Sequence, residues 1–201
     1  MMYDHLKKLK EEKNFYPDRI LDIGAWNGFW TNNVKQISPD AHYTCIEAGP
    51  KHKSKLEKIT DDYHIAVLGD SNREVKMYLR EIQKGSRKKV TYTKGSTLFG
   101  IFKDYEIRNM QTLDEIVGKD AKYDLIKQDV QGAEIMVMQG APDIFRRAKY
   151  VIQEVNLDKD DDFPDMPCEL EMDDYMNELG FKNNLIIDRK VDAGQVDKIY
   201  F

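Results

Sequence analysis

The feature that most limits how this chain can fold is a repeated beat: a short apolar run that stops at a glycine or an acid, followed by helical spacing. Arg19-Ile20-Leu21-Asp22-Ile23 leads straight into Gly24-Ala25-Trp26-Asn27-Gly28, and a helical stretch follows from Phe29 to about Ile37. Short, β-branched and glycine-terminated, the run reads as a buried strand. The beat returns as a strand at His42–Glu47, a turn at Gly49-Pro50 and a helix from Lys51 to Ile59. A strand at Tyr63–Leu68 closes on Gly69-Asp70-Ser71-Asn72. Later come a strand at Tyr123–Val130, a helix from Ala133 to about Gln139, a strand at Tyr150–Asn156 and a helix at Cys168–Leu179 ending on Gly180. Final strands near Leu185–Asp188 and Asp197–Phe201 read as an antiparallel pair. In between, Glu74–Glu81 and Lys89–Thr93 alternate as a hairpin or sheet extension around Gly85-Ser86, and Gly95–Gly100 reads as loop. Thr112–Val117 reads as a short helix with Thr112 and Glu115 at capping-box spacing. Such alternation requires right-handed crossovers and a mostly parallel α/β sheet with helices on both faces.

Composition narrows the class. A chain of 201 residues, 41% apolar and 33% charged, suffices for one domain, residues 1–16 being a lysine-rich N-terminal helical extension. The net charge of −5 argues against a nucleic-acid partner. Two cysteines, Cys45 and Cys168, fit a reducing compartment. No apolar run reaches the ~20 residues of a membrane span. Met1–Lys13 lacks the apolar core of a secretory signal. The expectation is a soluble cytoplasmic protein with no membrane partner.

In a sheet of this kind ligands bind at the carboxyl ends of strands, near the reversal of strand order. The first such site is Asp22-x-Gly24-x-x-x-Gly28. Its glycines permit close backbone approach, while an acid ahead of them suits a cationic or amino-bearing ligand better than a phosphate. An ordinary strand-to-helix turn is the bland alternative. The second is Glu47, 23 residues beyond Gly24 and so close to the ~20 at which an acid meets a ribose, where a carboxylate can accept both hydroxyls. The third is Ile126-Lys127-Gln128-Asp129-Val130-Gln131-Gly132-Ala133-Glu134, the most unusual stretch in the chain. Lys127 and Asp129 share one face of a strand whose burial would be costly without pairing. Glu134 falls in the first turn of the next helix, where the dipole favours a carboxylate. A purely structural ion-pair network is the alternative.

Asp22-Ile23-Gly24-Ala25 with Gly28, Ile46-Glu47-Ala48, and above all Ile126–Glu134 ending at Gly140-Ala141 resemble the FkbM family of S-adenosylmethionine-dependent O-methyltransferases. The resemblance runs from about Arg19 to Asn156; Trp26-Asn27 departs from it, since the family often has asparagine directly after the alanine. It implies a class I (Rossmann-like) fold with a seven-stranded, mostly parallel sheet that binds S-adenosyl-L-methionine. Gly24, Ala25 and Gly28 would line the methionine portion, Glu47 the ribose, and Leu68 to Asp70 the adenine. Asp129 would lie near the sulfonium, and Asp22, Trp26 and Ala48 complete the expected cofactor-binding set.

Methyl transfer to an alcohol needs an aligned oxygen and a base. Asp129 and Glu134 are the leading bases, with Lys127 holding the carboxylates or steadying developing oxyanion charge. Glu154, at the end of Val151-Ile152-Gln153-Glu154, would lie about one strand spacing (~5 Å) from Asp129 if the strands are neighbours. The pair could share a substrate hydroxyl or, with a third ligand, hold a divalent ion; no metal ligand is assigned. The expected reaction is O-methylation of a hydroxyl on a sugar, a glycan or another small polyol. A class I enzyme acting on RNA or protein and a non-catalytic cofactor-fold module are the alternatives, and a nicotinamide enzyme lacks its paired G-x-G.

Other signals read as structural. Asp158-Lys159-Asp160-Asp161-Asp162 with Glu169 has calcium-loop spacing, but Phe163 replaces the required glycine and Pro164 and Pro167 interrupt it. Arg87-Lys88-Lys89 reads as a solvated hairpin tip, the four histidines show no ligand spacing, and Met136 and Met138 read as core. Trp26, Phe29 and Trp30 read as core, or as a platform for a sugar ring or a sulfonium.

Overall fold

The computed structural model describes residues 2–79, 81–84, 87–90, 97–99, 104–159, 165–190 and 194–201. The chain opens with α1 (Met2–Lys13), β1 (Arg19–Ile23), α2 (Phe29–Lys35) and β2 (His42–Glu47). A 3-10 turn at Pro50–His52 runs into α3 (Lys53–Leu56), followed by β3 (Tyr63–Ile65), β4 (Val67–Leu68) and β5 (Arg73–Tyr78). Next are β6 (Glu81–Lys84), β7 (Arg87–Val90), β8 (Tyr105–Gln111), α4 (Leu113–Val117), β9 (Leu125–Gln128), α5 (Glu134–Gln139) and α6 (Pro142–Arg146). β10 (Tyr150–Asn156), α7 (Glu169–Leu179), β11 (Asn184–Lys190) and β12 (Gln195–Tyr200) complete the order.

The main sheet has seven strands in the order β11-β12-β10-β9-β1-β2-β3. β3, β2, β1, β9 and β10 run parallel, and β12 is antiparallel to both its neighbours. Successive side chains leave opposite faces of a strand, and the apolar runs divide accordingly. Leu21, Ile23, Ile126 and Val151 enter one core with Leu113 of α4, Phe145 of α6 and Met172 of α7. Ile20, Leu125, Ile152 and Ile199 enter the other with Leu6 of α1 and Trp30 and Val34 of α2. Both faces are therefore helix-covered, as the unbroken apolar runs predict. The lysine-rich opening is more than a surface helix: Leu6 is 5% exposed, and Lys10 Nζ donates to the Ile37 carbonyl at 2.5 Å.

Several local expectations change. The run Tyr63–Leu68 divides at Ala66, whose N–H donates to the Glu47 carbonyl at 3.0 Å. Its first part extends the main sheet, while β4 joins a three-stranded sheet in the order β4-β8-β5. β5 pairs antiparallel with β8, a strand in a stretch to which the sequence reading gives no element, while β6 and β7 pair with each other. The expected Gly85-Ser86 turn and half of Gly95–Gly100 lie outside the described residues, as do Asp160 to Pro164 of the calcium-like run. Thr112 precedes α4 but makes no side-chain cap, and Glu115 accepts a bond from Asn72 instead. The capping box belongs to α7, where Glu171 accepts the Cys168 N–H at 3.0 Å, and Gly180 ends the helix at φ 109°. Among the described residues no helix is long and apolar enough to cross a membrane.

Strand order reverses between β1 and β9, so the carboxyl ends of these strands mark where a crevice opens. The two ends touch: a Cβ on Gly24, at φ 74°, would lie 1.8 Å from the Asp129 carbonyl oxygen. Only glycine permits that approach in that conformation.

Candidate active site

β1 and β9 place Asp22 and Lys127 opposite each other in parallel register. Lys127 Nζ stands 3.2 Å from Asp22 Oδ1 and 3.8 Å from Asp129 Oδ2, and donates to the Gly24 carbonyl at 3.1 Å. Thr31 Oγ1 donates to Asp22 Oδ2 at 2.6 Å. Burial would lower the Lys127 pKa, but Asp22, Asp129 and Glu154 outweigh it and raise it, so the side chain stays an ammonium ion. The expected cost of a buried lysine and aspartate is met by pairing, and Asp22 lines neither of the cavities that the described residues form beside it.

After β9 the chain turns through Gln131 at φ 58° and Gly132 at φ 101°. A non-glycine residue in that region is uncommon, and here it aims a side chain. Gln131 Nε2 donates to Asp129 Oδ1 at 2.6 Å and to Glu154 Oε2 at 2.8 Å, tying the ends of β9 and β10 together. Thr97 Oγ1 holds the Gln131 carbonyl at 2.6 Å. Asp197 of β12 sits opposite Glu154 in antiparallel register and faces the same cavity. Neither Gln131 nor Asp197 stands out by residue type. The available signals were the position of Gln131 inside the motif and an acid interrupting the last apolar strand.

Glu134 turns inward. Its Oε1 accepts the Val130 N–H at 3.0 Å and the Gly132 N–H at 3.2 Å, and it lines no cavity among the described residues. Burial pushes its carboxyl up to about 7, against the lowering effect of those backbone donors. It staples the turn that carries Gln131 and is not placed to touch a substrate.

A second carboxylate organises the other side of the crevice. The Gly24 and Ala25 N–H groups donate to the Ile46 carbonyl at 2.9 and 3.0 Å, which brings Trp26 against the end of β2. Glu47 then accepts the Trp26 N–H at 2.7 Å and the Gly49 N–H at 2.6 Å. Burial raises its pKa while these two donors oppose the rise. One cavity runs along Glu47, Ala48, Ala66, Leu68 and Met77. Of the remaining expected cofactor residues, Ala25 lines the neighbouring cavity. Gly28 does not line either; it caps α2 at φ 75°, where a Cβ would meet Ile59 Cδ1 at 2.0 Å. Asp70 also points elsewhere, exposed and bonded to Ser71 and Arg73.

The neighbouring cavity lies across the Gly24 turn. Met2, Phe29 and Trp30 line it together with Lys127, Asp129, Glu154 and Asp197. Gly24, Trp26 and Asp129 line both cavities, so the two meet there. Trp26 is itself left-handed at φ 51°, with its ring edge-on to His52 at 6.0 Å. Burial, then Lys51 and Lys55, lower the His52 pKa to about 4.

Seven strands in this order, with an acid at the end of β2 and a crevice where β1 meets β9, define the class I methyltransferase fold. The family model described as the methyltransferase FkbM domain matches residues 22–182, and the chain belongs to that family. Methyltransferase FkbM from Methylobacillus flagellatus KT superposes with a TM-score of 0.63 at 12% identity, covering 98% of this chain and 48% of that one. A fibrillarin pre-rRNA processing protein from Methanococcus jannaschii superposes with a TM-score of 0.53 at 13% identity, covering 92% of this chain and 66% of that one. The chain thus spans about half the length of the first of these neighbours. No curated protein matches it in sequence.

Proposed function

We propose that the chain is a cytoplasmic S-adenosylmethionine-dependent O-methyltransferase acting on a hydroxyl of a sugar or another small polyol. The observation that carries this reading is the junction at Gly24, Trp26 and Asp129, where a cavity holding one diol-accepting carboxylate meets a cavity holding several. The residues present fit an adenosine. Each Glu47 oxygen accepts one backbone N–H and keeps a further lone pair for a ribose hydroxyl. Ala66, Leu68 and Met77 supply the apolar walls a base requires. When bound, the cofactor supplies a methyl group on a positively charged sulfur.

The rest falls to the chain. Asp129, facing both cavities, is the group placed to take the hydroxyl proton as the oxygen becomes nucleophilic. Gln131 fixes one of its oxygens, and Lys127 steadies the other from 3.8 Å. Asp22 neutralises Lys127, so the ammonium does not oppose a cationic ligand. Glu154, on the same glutamine, orients the acceptor rather than taking its proton. The net charge of −5 disfavours a nucleic-acid acceptor.

Calorimetry with S-adenosylhomocysteine tests the cofactor half. The wild type is expected to bind, and Glu47→Gln to bind at least about tenfold more weakly, through loss of a charge-assisted bond. No wild-type binding at millimolar ligand would overturn the reading.

A further inference from the structure

Resting on that reading, we infer that the cavity between the first turn of α1 and the ends of β9, β10 and β12 is the acceptor site. Its ligand is a saccharide-type ring, stacked by its C–H face on Phe29 with its hydroxyl edge toward Asp129, Glu154 and Asp197. The lining of this cavity combines two unlike sets of residues. Met2, Phe29 and Trp30 present carbon, whereas three carboxylates present acceptors. A carboxylate is first of all an acceptor, so a ligand that brings several donors suits these residues. The single ammonium there is already engaged by Asp22 and by the Gly24 carbonyl. A ring with one apolar face and a rim of hydroxyls matches both sets at once.

Phe29 is the informative residue. It opens α2 and is 61% exposed, while the next residue, Trp30, is 7% exposed and packs in the core. The Trp30 indole N–H donates to Met2 Sδ at 2.9 Å, which fixes the first turn of α1 beside the cavity. Tyr3, on the same turn, is near enough to Lys127, Asp22 and Asp197 to sense their charges, and burial above all keeps its phenol protonated. An aromatic ring held open to water at the rim of a carboxylate-lined cavity is a platform waiting for an apolar face.

Saturation-transfer NMR with a panel of methyl hexopyranosides, on protein saturated with S-adenosylhomocysteine, tests this. Ring protons of at least one glycoside are expected to be saturated. Phe29→Ala is expected to weaken that glycoside about five- to tenfold, Phe29→Tyr to retain it, and S-adenosylhomocysteine affinity to stay within about twofold in both. Because Phe29 is exposed, thermal unfolding of the variants should match the wild type, separating a lost platform from a lost fold. If no glycoside is saturated at about 10 mM, or if Phe29→Ala binds as the wild type does, the acceptor assignment is overturned while the cofactor reading stands. If S-adenosylhomocysteine itself does not bind, the cofactor reading fails first and the acceptor site falls with it.

Discussion

Lys127 and Asp22 stand opposite each other across the β1–β9 pair, Nζ 3.2 Å from Oδ1, with both side chains removed from water. A buried pair of this kind gains little net stability, because desolvation offsets the attraction. What it supplies is position: the same ammonium reaches the Gly24 carbonyl and Asp129, linking the glycine turn to the carboxylate at the junction of the two cavities. Removing one partner leaves the other charge stranded. Lys127→Met is expected to cost about 3–5 kcal/mol in urea unfolding, and the double variant with Asp22→Asn less than the sum of the singles.

Gly24→Ala should be more severe than an ordinary turn substitution. The added methyl would meet the Asp129 carbonyl at 1.8 Å, and alanine is disfavoured at φ 74°. Either the β1–β9 contact opens or the turn rebuilds, at several kcal/mol. Thermal unfolding and S-adenosylhomocysteine titration should both register the loss.

Glu134 gives a pH signature of unusual sign. Its folded carboxyl titrates at about 7 against an ordinary 4.5, so between those values the folded state holds a proton that the unfolded state has released. Its contribution to stability is complete below about 4.5 and is lost as pH rises through about 7, by up to about 3 kcal/mol. Glu134→Gln keeps an acceptor for the Val130 and Gly132 N–H groups and should flatten that slope. Denaturation of both proteins at several pH values reads the difference. Transfer activity should survive the change, since the side chain staples a turn.

Asp129→Asn should leave folding and S-adenosylhomocysteine affinity nearly intact while lowering transfer about 10²–10⁴-fold, the range for a lost general base. Unaltered turnover with the acceptor at saturation would assign the proton to another group.

Gln131→Ala removes the amide that bonds Asp129 and Glu154 at 2.6 and 2.8 Å. With the two carboxylates no longer held in common, turnover should fall about 10–100-fold through lost alignment. The remaining activity should show an altered pH profile, which a merely structural role would not produce.

The strands that build the site are legible in the sequence because their signals are local. β1, β2 and β10 form with the expected bounds, each a run whose alternate residues enter the cores on opposite sides of the sheet. The three-stranded sheet was not legible, because the alternation between β5 and β8 points to a local hairpin, which β6 and β7 form with each other, and because Ala66 moves the chain from one sheet to the other. Glu47, Lys127 and Asp129 stand at or next to strand ends, where the sequence puts them. Glu134 misleads because its helix position is right but its direction is set by the left-handed Gln131 and Gly132. Asp70 misleads for a similar reason, Arg73 drawing it outward.

β12 lies between β10 and β11 and also carries Asp197 into the cavity lining. Without that strand β10 would offer a bare row of amides and carbonyls to any passing chain. The stretch that completes the pocket also guards the molecule against sticking to its own kind. A lesion that frays β12 should therefore be seen as precipitation as well as lost turnover.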